Sequence, residues 1–448
     1  MRARIATSGY QEEVFVQRRF QAERHLPLVA LCLALLGALL AGCAVHLGGA
    51  QIAYQRGDQL WVANPDGSNP RELAVRDILG YSWSPDHHEL VFRYGKTGPA
   101  LPPGATWAAA ESVSELAVVS ISGGQPTQIT PSARGMARSD AWWNPQGNRM
   151  LYREYTPGEG VVAPVYIESQ NDQPVGIARK VVLGTATLPT LSPDGARVAV
   201  IGPNGSVRVG PAAQVGSVVA HGALARLPGS QLPARPLWQP GHDALLYPSA
   251  GANSETTLTL LDLTTHTSRE ITSINGLRDV AFSPDGSLLL LATSTGYLVW
   301  PMNGQTPRAV INESDALAQA FWSPDGRWLL IEDQSGARLI RTSDWSVEGT
   351  LTYASPLVEP QTSDTTVWRP AAVSPWSADG SAFTFASAAG SWQGQALASP
   401  HGASVGLYVE QVSSDAFVGA PKLIASGPIT APGWSYPDPS TTLLMAAA

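Results

Sequence analysis

One short phrase recurs eight times along this chain, and a fixed repeat of this length leaves few architectures open. It reads Trp83-Ser-Pro-Asp86, Trp143-Asn-Pro-Gln-Gly147, Leu191-Ser-Pro-Asp-Gly195 and Trp238-Gln-Pro-Gly241 in the first half. The second half carries Phe282-Ser-Pro-Asp-Gly286, Trp322-Ser-Pro-Asp-Gly326, Trp376-Ser-Ala-Asp-Gly380 and a degraded Trp434-Ser-Tyr-Pro-Asp438. The eight anchors are separated by 60, 48, 47, 44, 40, 54 and 58 residues.

The copy around Phe282 is the clearest. Leu277-Arg-Asp-Val-Ala-Phe-Ser283 predicts a first strand, and Pro284-Asp-Gly286 a turn. Proline pre-sets φ, aspartate bonds its own backbone, and glycine takes the positive φ that ends the turn. Leu288 to Thr293 is apolar on both faces and predicts a buried second strand. Tyr297 to Pro301 follows as a third, and Asn303-Gly304 signals a hairpin into a fourth over Pro307 to Ile311.

Four antiparallel strands per repeat, bounded by Gly/Pro turns, predict an all-β protein: a β-propeller of four-stranded antiparallel blades. The anchors Trp83, Trp143, Leu191, Trp238, Phe282, Trp322, Trp376 and Trp434 are expected to be structural, each packing against the adjacent blade. Eight anchors give eight blades. Seven is the alternative, because the last anchor is weak and Leu191 replaces an aromatic.

Ahead of Trp83 lie Gln51-Ile-Ala-Tyr54, Gln59-Leu-Trp-Val-Ala63 and Pro70-Arg-Glu-Leu-Ala74, the second to fourth strands of a blade without a first. Ile429 to Ser435 supplies the missing strand, with Thr441 to Met445 beyond it. A ring closed by strands from both termini exposes no open sheet edge.

The Ser-Pro-Asp-Gly turn after an aromatic, followed by an apolar strand, resembles the Pro-Asp-type repeats of TolB-like propellers from about residue 51 onward. That resemblance implies partner binding in the cell envelope. The family's separate N-terminal α/β domain has no counterpart here, so the partner does not carry over.

Leu26 to Gly42 is an uncharged run rich in Leu, Ala and Val, preceded by Arg18, Arg19 and Arg24 and closed by Leu40-Ala-Gly-Cys43. This predicts a lipoprotein-type signal peptide over 1–42, a lipidated Cys43 with a short tether over 43–50, and the propeller over 51–448. An uncleaved membrane anchor is the alternative, although seventeen residues lie at the short limit for spanning. Cys32 and Cys43 are the only cysteines. The mature chain is thus expected without disulfides in an extracytoplasmic, oxidising compartment.

The leader holds five arginines and three glutamates, so its loss takes the net charge from −8 to −10. No basic run follows Cys43. Nucleic-acid binding is therefore not expected, and membrane association should come from lipid.

In a four-stranded blade the first-to-second and third-to-fourth turns share one face, and all other connections share the opposite face. Gly95 to Ser112, Thr156 to Ala163, Ala354 to Pro370 and Ala388 to Ala403 are the long connections, and all fall on that second face. Trp107, Trp368 and Trp392 lie in them and are the candidate contact residues, since aromatics are enriched at binding hot spots. The competing reading makes these loops tolerated spacers.

Chemical motifs are weak. Gly402-Ala-Ser-Val-Gly406 matches a nucleophile elbow, but strand-like Leu407 to Glu410 follows where that site needs a helix. Asp86-His-His-Glu89 gathers metal-capable side chains in a tight turn that points them apart. No catalytic residue, metal site or cofactor is assigned. The expected function is a non-catalytic, monomeric scaffold, anchored to a bacterial membrane, that binds an envelope protein or polymer. Small-molecule or glycan binding, or a metal enzyme in the axial channel, are the alternatives.

Overall fold

The computed structural model describes residues 50–95, 114–130, 137–138, 141–143, 147, 149–155, 162–168, 180–182, 189–202, 204–212, 216–224, 235–312, 319–333, 336–353, 374–387, 391–392, 395–396, 406–414, 416–427 and 429–434. Residues 50–448 form one compact unit, separate from 1–49. The expected leader over 1–42 and Cys43 lie outside the described residues.

Around Phe282 the sequence reading and the structure agree almost residue for residue. The strands are Leu277–Phe282, Leu288–Thr293, Gly296–Pro301 and Arg308–Ile311, hydrogen-bonded in that order and antiparallel throughout. The same order holds in the blades of Trp83, Leu191, Trp238 and Trp322. The fold is all-β, a propeller of four-stranded antiparallel blades. The helical element among the described residues is one short 3₁₀ turn, Ala252–Ser254.

The strand that carries the last anchor, Ile429–Trp434, pairs with Ile52–Arg56 near the other end of the chain, Trp434 opposite Ile52. Gln59–Ala63 and Arg71–Val75 complete that sheet. Thr441 to Met445 lie outside the described residues.

Two blades depart from the regular pattern. In the blade of Trp143 the first strand is split into Ala137–Arg138 and Trp142–Trp143, both paired with Arg149–Tyr155. In the blade of Trp376 the first strand is reduced to one bridge, Trp376 to Phe383, beside Ala382–Ser387, Gly406–Gln411 and Lys422–Ser426. The long connection between Ala382–Ser387 and Gly406–Gln411 holds a small ladder, Ser391–Trp392 with Gln395–Ala396.

The hydrophobic core is a series of separate cores between consecutive blades. Phe321, Trp328 and Leu339 meet Trp376, Phe383, Phe385 and Tyr408. Ala53, Leu60 and Val62 meet Tyr81, Trp83 and Phe92. This explains the continuous apolar second strands: Leu290 packs toward the following blade while Leu289 and Leu291 also face the preceding one. A strand covered on both faces needs no polar alternation. Each such side chain contributes about 1.5–3 kcal/mol on burial.

Candidate functional site

The turn face is built from one hydrogen-bond pattern used five times. In the Phe282 copy, the Ser283 hydroxyl donates to Asp285 Oδ1 (2.5 Å), and its oxygen accepts from the Leu288 amide (3.0 Å). Asp285 Oδ1 also accepts from the Ser287 amide at 3.1 Å, and the Gly286 amide donates to the Ser283 carbonyl at 2.9 Å. Ser84 with Asp86, Ser192 with Asp194, Ser323 with Asp325 and Ser377 with Asp379 repeat the arrangement. Each aspartate is thus tied within its own turn.

Partial burial works to raise Asp86, Asp285 and Asp379, but the serine hydroxyl and amide bonds outweigh it and all three carboxyls lie below their ordinary range. In Asp194 the Ser192 hydroxyl is the largest influence, with the same result. Successive turns touch. A Cβ on Gly147 would lie 3.6 Å from Pro85 Cδ, one on Gly326 3.9 Å from Pro284 Cδ, and one on Gly380 3.3 Å from Asp325 Oδ2.

The anchors lie just below these turns. Trp83, Trp143, Trp238, Phe282, Trp322, Trp376 and Trp434 are buried, whereas Leu191 is half-buried. Three indoles reach the preceding blade in the same way, donating to the carbonyl of the residue just before its anchor. These are Trp376 to Phe321 (3.2 Å), Trp238 to Thr190 (3.2 Å) and Trp83 to Gly433 (3.4 Å). The indole nitrogens of Trp143, Trp322 and Trp434 are buried without a hydrogen-bond partner.

At the opposite face, Gly95 pairs with Ser114 and Ser387 with Gly406, so the two long connections between them spring from that side. Trp107 and Trp368 lie outside the described residues. Trp392 pairs with Gln395 in the small ladder.

Beneath this rim is a polar framework that sequence reasoning missed. The Tyr94 hydroxyl donates to Glu115 Oε2 at 3.1 Å, and the Arg76 guanidinium stands 4.6 Å over the Tyr94 ring. Burial, then the neighbouring Glu115 charge, pushes the Tyr94 hydroxyl up to about 12. Buried Arg138, from the next blade, donates through Nη1 to the Ser114 carbonyl at 2.9 Å, and its amide donates to Ser114 Oγ at 2.7 Å. In the Trp322 blade, the Tyr353 hydroxyl donates to Glu332 Oε1 at 2.9 Å, and Arg338 pairs with Asp333. Charged residues inside otherwise apolar strands, such as Glu115 in Ser114–Ser120, were the available signal.

These bonds tie strand ends together, and Arg138 joins its blade to Ser114 of the preceding one. Ser404 of the elbow-like motif lies outside the described residues, and Gly406–Gln411 after it is a strand. In the Asp86-His-His-Glu89 turn, His88 Nδ1 is 2.6 Å from the Asp86 carbonyl and both side chains are exposed. No group of three or more His, Cys, Asp or Glu able to hold a metal ion occurs among the described residues.

The blades define the protein class as β-propeller. No protein-family model and no curated protein matches the sequence. Among solved structures, TolB from Acinetobacter baumannii is similar at 13% identity over 89% of this chain and 69% of that one, with a TM-score of 0.37. The C-terminal WD40 domain of Sif2 is similar at 14% identity over 80% and 84%, with a TM-score of 0.48. A eukaryotic initiation factor is similar at 10% identity over 87% and 100%, with a TM-score of 0.49. At these values the likenesses carry nothing about activity or partner.

Proposed function

We propose that this chain is an exported, lipid-anchored scaffold. In this reading eight blades close into a ring through the blade shared by both termini. Lipid on Cys43 holds the ring to a bacterial membrane. An envelope protein or polymer binds the looped face without being transformed. One observation carries the reading: the long connections rise from one face above a buried, hydrogen-bonded rim, the usual placement of recognition loops on a rigid support.

The test uses the full chain as bait in cross-linked envelope extract, beside a variant with Trp107, Trp368 and Trp392 changed to alanine. Capture by the first and loss by the second, with unchanged thermal unfolding, is expected. Capture that survives the triple change would remove these tryptophans from the site. Cys43→Ser should release the protein from the membrane fraction, as read by fractionation.

A further inference from the structure

The register of the first strand shows from which side the chain enters its blade. In the regular blades, the residue opposite the anchor comes directly after the Ser-Pro-Asp-Gly turn and its cap: Leu90 opposite Trp83, Leu289 opposite Phe282, Leu329 opposite Trp322. Ile52 is the corresponding residue opposite Trp434. Gln51 therefore stands level with the turns, and the chain before it departs on the turn face. The long connections leave from the other end of the strands, beyond Gly95 and Ser387.

We propose that the turn face is the membrane-proximal side of the anchored protein and that the looped face is directed away from the bilayer. This rests on the membrane-anchor reading above. The exit side and covalent reach together favour this orientation. Eight Cα steps separate Cys43 from Gln51, at most about 28 Å when fully extended. To set the looped face on the membrane, that segment would first pass outward beyond Gln59–Ala63 and Arg71–Val75. Those two strands alone add about 10 Å. It would then run back along its own blade, whose outer strand Arg71–Val75 has five residues, about 17 Å more. The path takes up nearly the whole reach before side chains are counted, whereas the turn face needs no detour.

Charge shapes how that face sits. Asp66, Asp86, Asp194, Asp285 and Asp379 all lie in its turns, with carboxyls held below their ordinary range and thus ionised at neutral pH. Opposite an anionic leaflet these carboxylates repel, so the ring stands off at low salt and approaches as salt screens the repulsion.

The chain offers a clean test because its only cysteines are Cys32 and Cys43. Cleavage and lipidation would leave neither as a free thiol. Gln305→Cys on the turn face and Thr295→Cys on the looped side introduce single labelling sites at exposed positions of one blade. Each full-length variant is labelled with a maleimide donor dye and placed in vesicles of phosphatidylglycerol and phosphatidylethanolamine that carry a headgroup acceptor. Energy transfer from position 305 should exceed that from 295 by about twofold or more, given faces about 20 Å apart, and should rise with salt. Equal or reversed transfer would overturn the orientation. The chain without an added cysteine tests the lipid separately. Dye uptake at Cys43 with 305 still ahead of 295 would remove the lipid and keep the orientation, since an uncleaved anchor leads into the same blade. A chain that does not join the vesicles would overturn both.

Discussion

At the scale of single residues, the turn position with φ between +65° and +72° is glycine in six repeats: Gly147, Gly195, Gly241, Gly286, Gly326 and Gly380. In the first repeat His87 holds it at +63°. A side chain there strains the backbone by about 1–2 kcal/mol, partly offset because glycine gives the unfolded chain more freedom. His87→Gly should therefore stabilise the protein by about 0.5–1 kcal/mol, read as a raised urea midpoint with unchanged slope. The anchors give a second comparison. Trp376→Phe removes a hydrogen bond to Phe321, whereas Trp143→Phe removes a buried indole N–H that has no partner. Both lose packing, but the first should cost about 1 kcal/mol more. Equal losses in chemical unfolding would mean that the indole bond adds nothing.

At the scale of strands and blades, legibility in the sequence followed packing. The Phe282 copy was readable because strand period, turn chemistry and apolar core agree in every residue from Leu277 to Ile311. The pairing of Ile52–Arg56 with Ile429–Trp434 was readable too, because one end lacked the strand that the other had to spare. Where the local signals conflict, the reading failed. The interrupted first strand at Ala137–Arg138 and Trp142–Trp143 has no Gly-Pro punctuation to announce it. The ladder at Ser391–Trp392 is too short to show a period. The framework of Tyr94, Glu115 and Arg138 joins strands of two blades, and no linear pattern reports such a meeting. Glu410 belongs to the same class. It lies in Gly406–Gln411 opposite Phe383 and is fully buried, with the Val418 amide offsetting part of the cost of its charge.

At the scale of the whole molecule, Glu410 and the turn aspartates give opposed pH dependences. Burial pushes the Glu410 carboxyl up to about 8, above its unfolded value of roughly 4.3. The folded state then holds the proton more tightly, so the associated stability is full below about pH 4.3 and is lost as pH rises toward 8. The depressed carboxyls of Asp86, Asp194, Asp285 and Asp379 act in the other direction, stabilising above roughly pH 4 and losing that contribution as pH falls below it. Unfolding midpoints should therefore peak on the acid side of neutrality. Glu410→Gln should flatten the decline between about pH 4.5 and 8 and add on the order of 3 kcal/mol at pH 8. A decline that persists in this variant would assign it to other groups.

The pairing of Ile52–Arg56 with Ile429–Trp434 also sets when that blade can be completed. Trp83 donates to Gly433 and Ile52 pairs with Trp434, partners about 350 or more residues apart in the chain. During synthesis, Ile52–Arg56 is made long before Ile429–Trp434, the strand that pairs with it. Until then its inner edge presents unpaired amides and carbonyls, a template for any other extended chain. Contacts this distant in sequence also form slowly. A chain cut short before Ile429 would keep that edge exposed throughout its life, and self-association of such a fragment is the hazard built into pairing strands made so far apart.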